Sequence, residues 1–313
     1  LSPYVYLFAT GHFSVDWAQG AIPALLPYFI SSCNLNYQDA ATLIFANMLL
    51  SSVSQPIFGY YSDKVSKPWF APLGPILCGL CLTMLAFTQN YWLIFLCSMF
   101  SGFGSSIYHP EAARMVNNIA GDRKGQAMGT FSVGGNAGFA IGPMVAGACA
   151  YAFDIHGLVV FGIVNALIAF VLYHQMPHIL SLVSEAATAE KKAHPGEVRT
   201  NDWMVIMIPS MFFLVNSTDI VTATLLLLPV AFSLFAAYSP IVVLGQTYLG
   251  KNVGFASGVT LGLTTTIGGL ISPIVGWGAD QWGISPALQC LWISAIFGAI
   301  FAFLIPVPKA WRH

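Results

Sequence analysis

Apolar runs of roughly 20 residues, the length that carries a helix across a bilayer, alternate along the chain with short turns rich in Pro, Gly, Asn and Asp. Six such runs come first, at 4–29, 40–61, 69–87, 91–116, 128–152 and 158–176. A polar stretch follows at 177–201, with Glu185, Glu190, Lys191, Lys192, Glu197 and Arg199. Its Ala, Glu and Lys content predicts partial helix at a membrane surface. After it come a short run at 203–215 and three longer ones at 220–249, 253–279 and 286–306. The short run would reach about 20 Å as a helix, against a hydrocarbon core of about 30 Å.

The pattern also repeats. Tyr108, Pro110, Gly125, Ala127, Gly129 and Pro143 recur about 130 positions later as Tyr238, Pro240, Gly254, Ala256, Gly258 and Pro273. Both copies run in the same sense, so the chain is expected to be a transporter made of two related halves. The expected division is an N-terminal six-helix bundle at 1–176, a linker at 177–201 and a C-terminal helical bundle at 202–313. Three spans precede the Tyr-x-Pro span of the first half, but only the 203–215 run precedes that of the second. The second half is therefore expected to lack about two spans, with the gap near 216–219.

Composition agrees with a chain dissolved in lipid. Apolar residues make up 57% and charged residues 7%, against roughly 25% charged in a soluble domain. That excludes a soluble enzyme and predicts an all-α, multi-pass membrane protein. The net charge of -1 comes with no basic cluster that would bind nucleic acid. Cys78 and Cys81 have the spacing of a redox pair, but they stand in an apolar run and read as small helix residues. No n-region with a cleavage site opens the chain, so no signal peptide is expected.

Charge orients the spans. With both termini in the cytoplasm and the runs alternating, Lys64, Lys67, Arg114, Arg123, Lys124, Lys191, Lys192, Arg199, Lys251, Lys309 and Arg312 all fall inside. These are all the Lys and Arg residues of the chain. The outer turns hold Asp39, Asp154, Asp219 and Asp280. This is the positive-inside bias of a plasma-membrane protein.

Ionisable residues inside spans are costly, and they mark functional sites by default. Asp16 lies halfway along the first span, with His12 one turn earlier at i−4, where the two side chains can meet. His12 would tune the proton affinity of Asp16, the alternative being a structural hydrogen bond to a neighbouring helix. His109, Glu111 and Arg114 cluster around Pro110 in the inner half of the fourth span. Glu111 and Arg114 can pair on one face, as a proton or anion site or as a structural ion pair. Asn47, Ser51 and Gln55 form a polar stripe at four-residue spacing, suited to a ligand or to interhelical bonds. Asn136, Tyr238 and Gln246 are further candidates of that kind. Gly59, Asp63, Lys64 and Lys67 occupy the turn after the second span, where Asp63 can accept from a helix start and latch two bundles. Gly134, Gly135, Gly138, Gly142, Pro143 and Gly147 give the fifth span a small-residue face with a bend, suited to a gate or to plain close packing.

These residues carry a resemblance. Gly59-x-x-x-Asp63-Lys64-x-x-Lys67 resembles the signature loop of the major facilitator superfamily, with Lys64 where Arg is usual. Gly138-x-x-x-Gly142-Pro143-x-x-Ala146-Gly147 is similar to the fifth-span motif of its antiporters. His12-x-x-x-Asp16 with Pro23 and Pro27, together with Tyr108-His109-Pro110-Glu111-Ala112-Ala113-Arg114, resembles the fosmidomycin-resistance type of drug exporter. The resemblance covers the first six spans and the last three, and no second-half counterpart of the Asp63 loop is present.

The resemblance implies a major facilitator fold of two pseudo-symmetric helical bundles. It implies proton-coupled export of a small anionic or drug-like molecule from a bacterial cell by alternating access. Asp16, Glu111 and His12 would carry the proton, and His109, Arg114 and Tyr108 would meet the substrate. The expected setting is a monomer in the inner membrane, driven by the proton gradient, with no cofactor and no metal. Two alternatives stay open. One is a proton/solute symporter for a sugar or organic acid, and the other is a non-transporting scaffold or receptor.

Overall fold

The computed structural model describes residues 1–65, 68–121, 123–188, 202–236, 238–249 and 252–304. Within these, the side chains at 185–188, 202–206, 231–232, 234–236, 238–240, 262–270, 272, 284 and 301–303 lie outside the described set. Among the described residues the chain is helical throughout, without a strand. The first six helices are α1 (Pro3–Cys33), α2 (Tyr37–Lys64), α3 (Phe70–Leu85), α4 (Tyr91–Ile119), α5 (Lys124–Phe153) and α6 (Val159–Thr188). The rest are α7 (Asp202–Val215), α8 (Ile220–Ala236), α9 (Tyr238–Leu249), α10 (Val253–Trp282), α11 (Ile284–Leu288) and α12 (Cys290–Leu304).

The punctuation is local chemistry. Asn34 takes a left-handed conformation (φ 54°) that ends α1. Asn36 caps α2 by accepting from the Asp39 amide at 2.7 Å, and Asn90 caps α4 by accepting from Trp92 and Leu93. α7 and α8 form a hairpin whose turn, Asn216 to Asp219, ends with Asp219 accepting from the Thr222 amide at 2.8 Å. Asp219 is fully exposed, and these bonds lower its pKa from the ordinary aspartate value.

Among the described residues, four stretches are long and apolar enough to cross a membrane: Tyr37–Lys64, Tyr91–Ile119, Lys124–Phe153 and Ile155–Ser184. α1 is as long, but it carries His12, Asp16 and Gln19, all buried. Three boundaries differ from the sequence expectation. α6 continues past 176 to Thr188 without a break. The run at 286–306 is divided at Gln289, whose side chain bonds Asn216 at 3.1 Å and Trp292 at 2.7 Å, joining this corner to the α7–α8 turn. The run at 220–249 is represented by α8 and α9, and residue 237 between them lies outside the described set.

Two close helix pairs position the site. α5 lies against α1 through Gly134, Gly138 and Gly142, one per turn. A Cβ at these positions would run into the α1 backbone at Ala9, Phe13 and Trp17. Without side chains there, the backbones approach closely, as in other small-residue interfaces. α10 lies antiparallel along α2. Gly254 meets Gly59, Gly258 meets Gln55 and Pro56, and Gly276 meets Ala41. α10 thereby joins the later helices to the first bundle.

The glycines of α5 that the sequence groups together are not equivalent. Gly142 faces the Trp17 carbonyl, whereas Gly147 has nothing within 4 Å of an added Cβ. Gly142→Ala is expected to destabilise by about 1–3 kcal/mol through overpacking. Gly147→Ala is expected to be neutral or to stabilise by about 0.5–1 kcal/mol, from lost backbone freedom in the unfolded chain. Thermal unfolding in detergent checks the difference in sign.

Candidate functional site

The site is built on α1 and α4. Asp16 is 3% exposed, halfway along α1. Its Oδ2 lies 3.0 Å from His12 Nε2, one turn back on the same helix. Its Oδ1 lies 3.1 Å from His109 Nε2, which reaches across from α4. The two imidazoles meet edge to face, with centroids 4.7 Å apart. Gly135 of α5 leaves the room, since a Cβ there would strike both His12 and Asp16.

Each ring is held by its other nitrogen. His12 Nδ1 lies 2.8 Å from the Phe131 carbonyl, and the Phe131 ring stacks on His12 at 4.1 Å. A carbonyl only accepts, so that contact places a hydrogen on His12 Nδ1. His109 Nδ1 lies 2.9 Å from the Ser105 hydroxyl and 3.0 Å from the Ser105 carbonyl. His109 can therefore stay neutral, accepting from the hydroxyl while its Nε2–H donates to Asp16. His12 cannot do the same, because Phe131 already holds its one neutral-state hydrogen. Its Nε2, 3.0 Å from Asp16 Oδ2, makes no hydrogen bond among the described residues.

Asp16 and His109 open on a small cavity, lined also by Gln19, Met48, Ser51, Gln55, Ser105, Phe139 and Leu261. The lining comes from α1, α2, α4 and α5, with α10 supplying Leu261. Gln55 Nε2 donates to Ser51 at 3.2 Å, while its buried Oε1 has no partner among the described residues.

A second buried charge lies further along α4. Glu111 is fully buried and paired with Arg114, Oε1 to Nη2 at 2.7 Å and Oε2 to Nε at 3.3 Å. Arg114 Nε also donates to Ser62 of α2 at 3.0 Å. One residue past Ser62, Asp63 accepts from the Gly254 and Phe255 amides at 2.8 Å each. Its carboxylate thus meets the free N–H groups and positive dipole end of α10. Lys64 lies over the Tyr60 ring, and Lys67 is outside the described residues.

Of the residues expected to meet substrate, His109 and Gln55 line the cavity. Four others are committed elsewhere, in each case because a polar group inside a bundle must find a partner. Tyr108 is fully buried and donates its hydroxyl to the Phe8 carbonyl at 2.6 Å. Asn47 donates to the Ser98 carbonyl at 2.9 Å, tying α2 to α4. Gln246 of α9 accepts from Asn117 of α4 and donates to Ser257 of α10, both at 2.9 Å. Arg114 is held by Glu111 and Ser62. Asn136 is half-buried away from the cavity lining, and the side chain of Tyr238 lies outside the described residues.

Sequence reasoning missed Gln19 and Ser105. Gln19 follows Asp16 at i+3 on the same face of α1 and bonds the Ser101 carbonyl at 2.9 Å. Ser105 precedes His109 by one turn. Both spacings were available as signals.

The family model of the Major Facilitator Superfamily matches residues 8–312. The chain is 32% identical over 196 residues to the uncharacterised MFS-type transporter YfnC of Bacillus subtilis, covering 62% of this chain and 48% of that protein. It is 30% identical over 186 residues to the fosmidomycin resistance protein of Escherichia coli, covering 59% and 44%. It is 21% identical over 309 residues to the multidrug resistance protein MdtG of Escherichia coli, covering 96% and 70%. The chain thus spans about half the length of the first two of these curated relatives. Among solved structures, the proton:xylose symporter XylE superposes with a TM-score of 0.65 at 12% identity, covering 98% of this chain and 96% of that one. A bacterial homologue of the human lysosomal transporter Spinster gives 0.64 at 14%, covering 96% of both chains. Both likenesses concern the fold.

The Asp63 contacts are open to test. Hydrogen bonds to a charged group contribute about 1.5–3 kcal/mol each when buried, and Asp63 is half-buried. Asp63→Ala is therefore expected to cost about 1–2 kcal/mol of the α2–α10 contact, enough to shift a two-state population about 5- to 30-fold. Spin labels at Lys64→Cys and Asn252→Cys, on a background without the accessible native cysteines, would show a longer or broader distance distribution. An unchanged distribution would mean that the glycine contacts alone hold the helices.

Proposed function

The chain belongs to the Major Facilitator Superfamily, a family of integral membrane transporters rather than enzymes, and from that membership we propose that it is a proton-coupled antiporter exporting a small drug-like or anionic molecule by alternating access. The observation that carries this reading is the buried His12–Asp16–His109 trio beside the cavity. A carboxylate between two anchored imidazoles can hold a proton as an imidazolium–carboxylate pair whose charges oppose each other, and after release the carboxylate still accepts a hydrogen bond from an imidazole. Occupying the cavity with an anionic group and protonating the trio are electrostatically linked through His109, which lines the one and belongs to the other. The Glu111–Arg114 pair offers a second proton-exchange position nearer the end of α4. The likeness to a fosmidomycin resistance protein and to the multidrug resistance protein MdtG supports export, and the proton gradient supplies the energy.

In this reading the Asp63 carboxylate latches one end of the cavity, by holding α2 against the start of α10. Gly138, Gly142 and Pro143 set the close α1–α5 packing against which the trio is placed. The chain acts in a bacterial inner membrane with its Lys- and Arg-bearing turns and both termini on the cytoplasmic side. One observation favours a second reading. Gln19, Ser51, Gln55 and Ser105 add neutral hydrogen-bonding groups to a cavity otherwise walled by Met48, Phe139 and Leu261, a mixed lining that also suits a hydroxylated solute imported together with a proton.

Reconstituted vesicles separate the possibilities. Asp16→Asn keeps the size and removes the carboxylate, and Glu111→Gln does the same for the second pair. Substrate-dependent proton movement is expected to be lost in Asp16→Asn and reduced in Glu111→Gln. Parent-rate proton movement in both variants would refute the assignment. Substrate and proton moving in the same direction would select symport.

A further inference from the structure

The trio carries an inference that does not depend on proton coupling. We propose that His12 Nε2, His109 Nε2 and the Asp16 carboxylate form a binding site for a divalent first-row transition-metal ion of the Zn²⁺ or Co²⁺ class. The three ligating groups lie within 4.8 Å of one another and all are buried. Two imidazoles with one carboxylate make a donor set of intermediate softness, suited to these ions rather than to Mg²⁺ or Ca²⁺.

Three features argue for a built site rather than a chance meeting. The first is the outer contacts. Both rings can donate Nδ1–H to a backbone carbonyl, Phe131 at 2.8 Å and Ser105 at 3.0 Å. That arrangement fixes a metal-ligating histidine and leaves Nε2 with its lone pair. The second is His12 Nε2 itself, 1% exposed as a residue, with no aligned hydrogen-bond partner among the described residues. The third is spacing. For metal–ligand bonds of about 2.1 Å, neighbouring ligands stand about 3.0 Å apart in an octahedron and about 3.4 Å apart in the tetrahedron that Zn²⁺ prefers. The observed Nε2-to-oxygen separations are 3.0 and 3.1 Å, each histidine beside a different oxygen of Asp16. An ion in front of the carboxylate, with one imidazole on each side, would meet those edges with small side-chain shifts. Remaining positions would be filled from the cavity, which Asp16 and His109 line and which also gives the ion its path in.

Zinc is opposed by no fixed positive side chain within the trio, because Arg114 is paired with Glu111. The competing explanation for metal binding elsewhere is His174 and His178, exposed on α6 at i,i+4, a spacing that can capture ions adventitiously.

The test is titration of the purified, detergent-solubilised full chain with Co²⁺, read by visible absorption, and with Zn²⁺ in competition. One equivalent of Co²⁺ should develop ligand-field bands that Zn²⁺ abolishes. His109→Ala and Asp16→Asn should each weaken binding by about 10-fold or more, while elution profile and helicity stay those of the parent. His109→Cys, which restores a ligand atom, should recover a Co²⁺ spectrum with an added charge-transfer band, a readout that misfolding would not give. His174→Ala/His178→Ala should leave the site intact. No saturable binding, binding insensitive to His109→Ala, or binding lost with the α6 pair would overturn the proposal. Proton coupling could survive any of those results, and its failure in vesicles would leave the metal titration unchanged.

Discussion

Burying the Asp16 carboxylate among apolar helices costs several kcal/mol unless opposing charge and hydrogen bonds meet it. His12 and His109 supply that compensation, and the surrounding structure is arranged to hold them. Phe131 orients one ring through its carbonyl and covers it with its own face, while Ser105 orients the other. Both anchors require α5 and α4 to stand close to α1. On the α5 side that closeness comes from Gly134, Gly138 and Gly142, with Gly135 making space for the trio itself. On the α4 side the Tyr108 hydroxyl reaches the Phe8 carbonyl and Gln19 reaches the Ser101 carbonyl. The packing of α1, α4 and α5 and the electrostatics of Asp16 are therefore a single problem with a shared solution.

How much of this was legible beforehand depended on sequence separation. The His12–Asp16 pair was readable because i,i+4 residues share a helix face, and so was Glu111–Arg114 at i,i+3. The third member is not readable that way, because His109 lies 93 residues from Asp16, and periodicity carries no information across helices. The Phe131 carbonyl, 119 residues from His12, is beyond reach for a stronger reason, since a backbone group has no sequence signature. For the same reason the donor set of a metal site could not be assembled from the chain.

Polar residues inside spans leave another ambiguity. Asn47 and Gln246 suit a ligand or an interhelical bond equally and make the second, while Tyr108, expected at the substrate, bonds the Phe8 carbonyl. A polar side chain that joins two helices and one that lines a cavity obey the same rule of avoiding lipid. Sequence separates polar from apolar positions, but not these two fates. The α5 glycines teach the converse. Gly134, Gly138 and Gly142 keep a four-residue step and face α1, whereas Gly147 comes five residues later and rotates off that face by roughly 140° at 100° per residue. That distinction was in the spacing all along.

The cavity and the α2–α10 contact are mechanically one object. α4 bears His109 at the trio and, little more than a turn later, the Glu111–Arg114 pair, whose guanidinium holds Ser62 of α2. α2 bears Ser51 and Gln55 in the cavity wall, then Gly59 and Asp63 where it meets α10. Helices this closely packed move as rigid rods rather than bending side chain by side chain. A displacement of α4 that changes the distance between His109 and Asp16 therefore also pulls on Ser62, one residue from the carboxylate that holds the start of α10. A change at the trio and a change at the start of α10 would then draw on the same two helices. A change in charge at one has a physical route to the other through bonds between neighbouring residues.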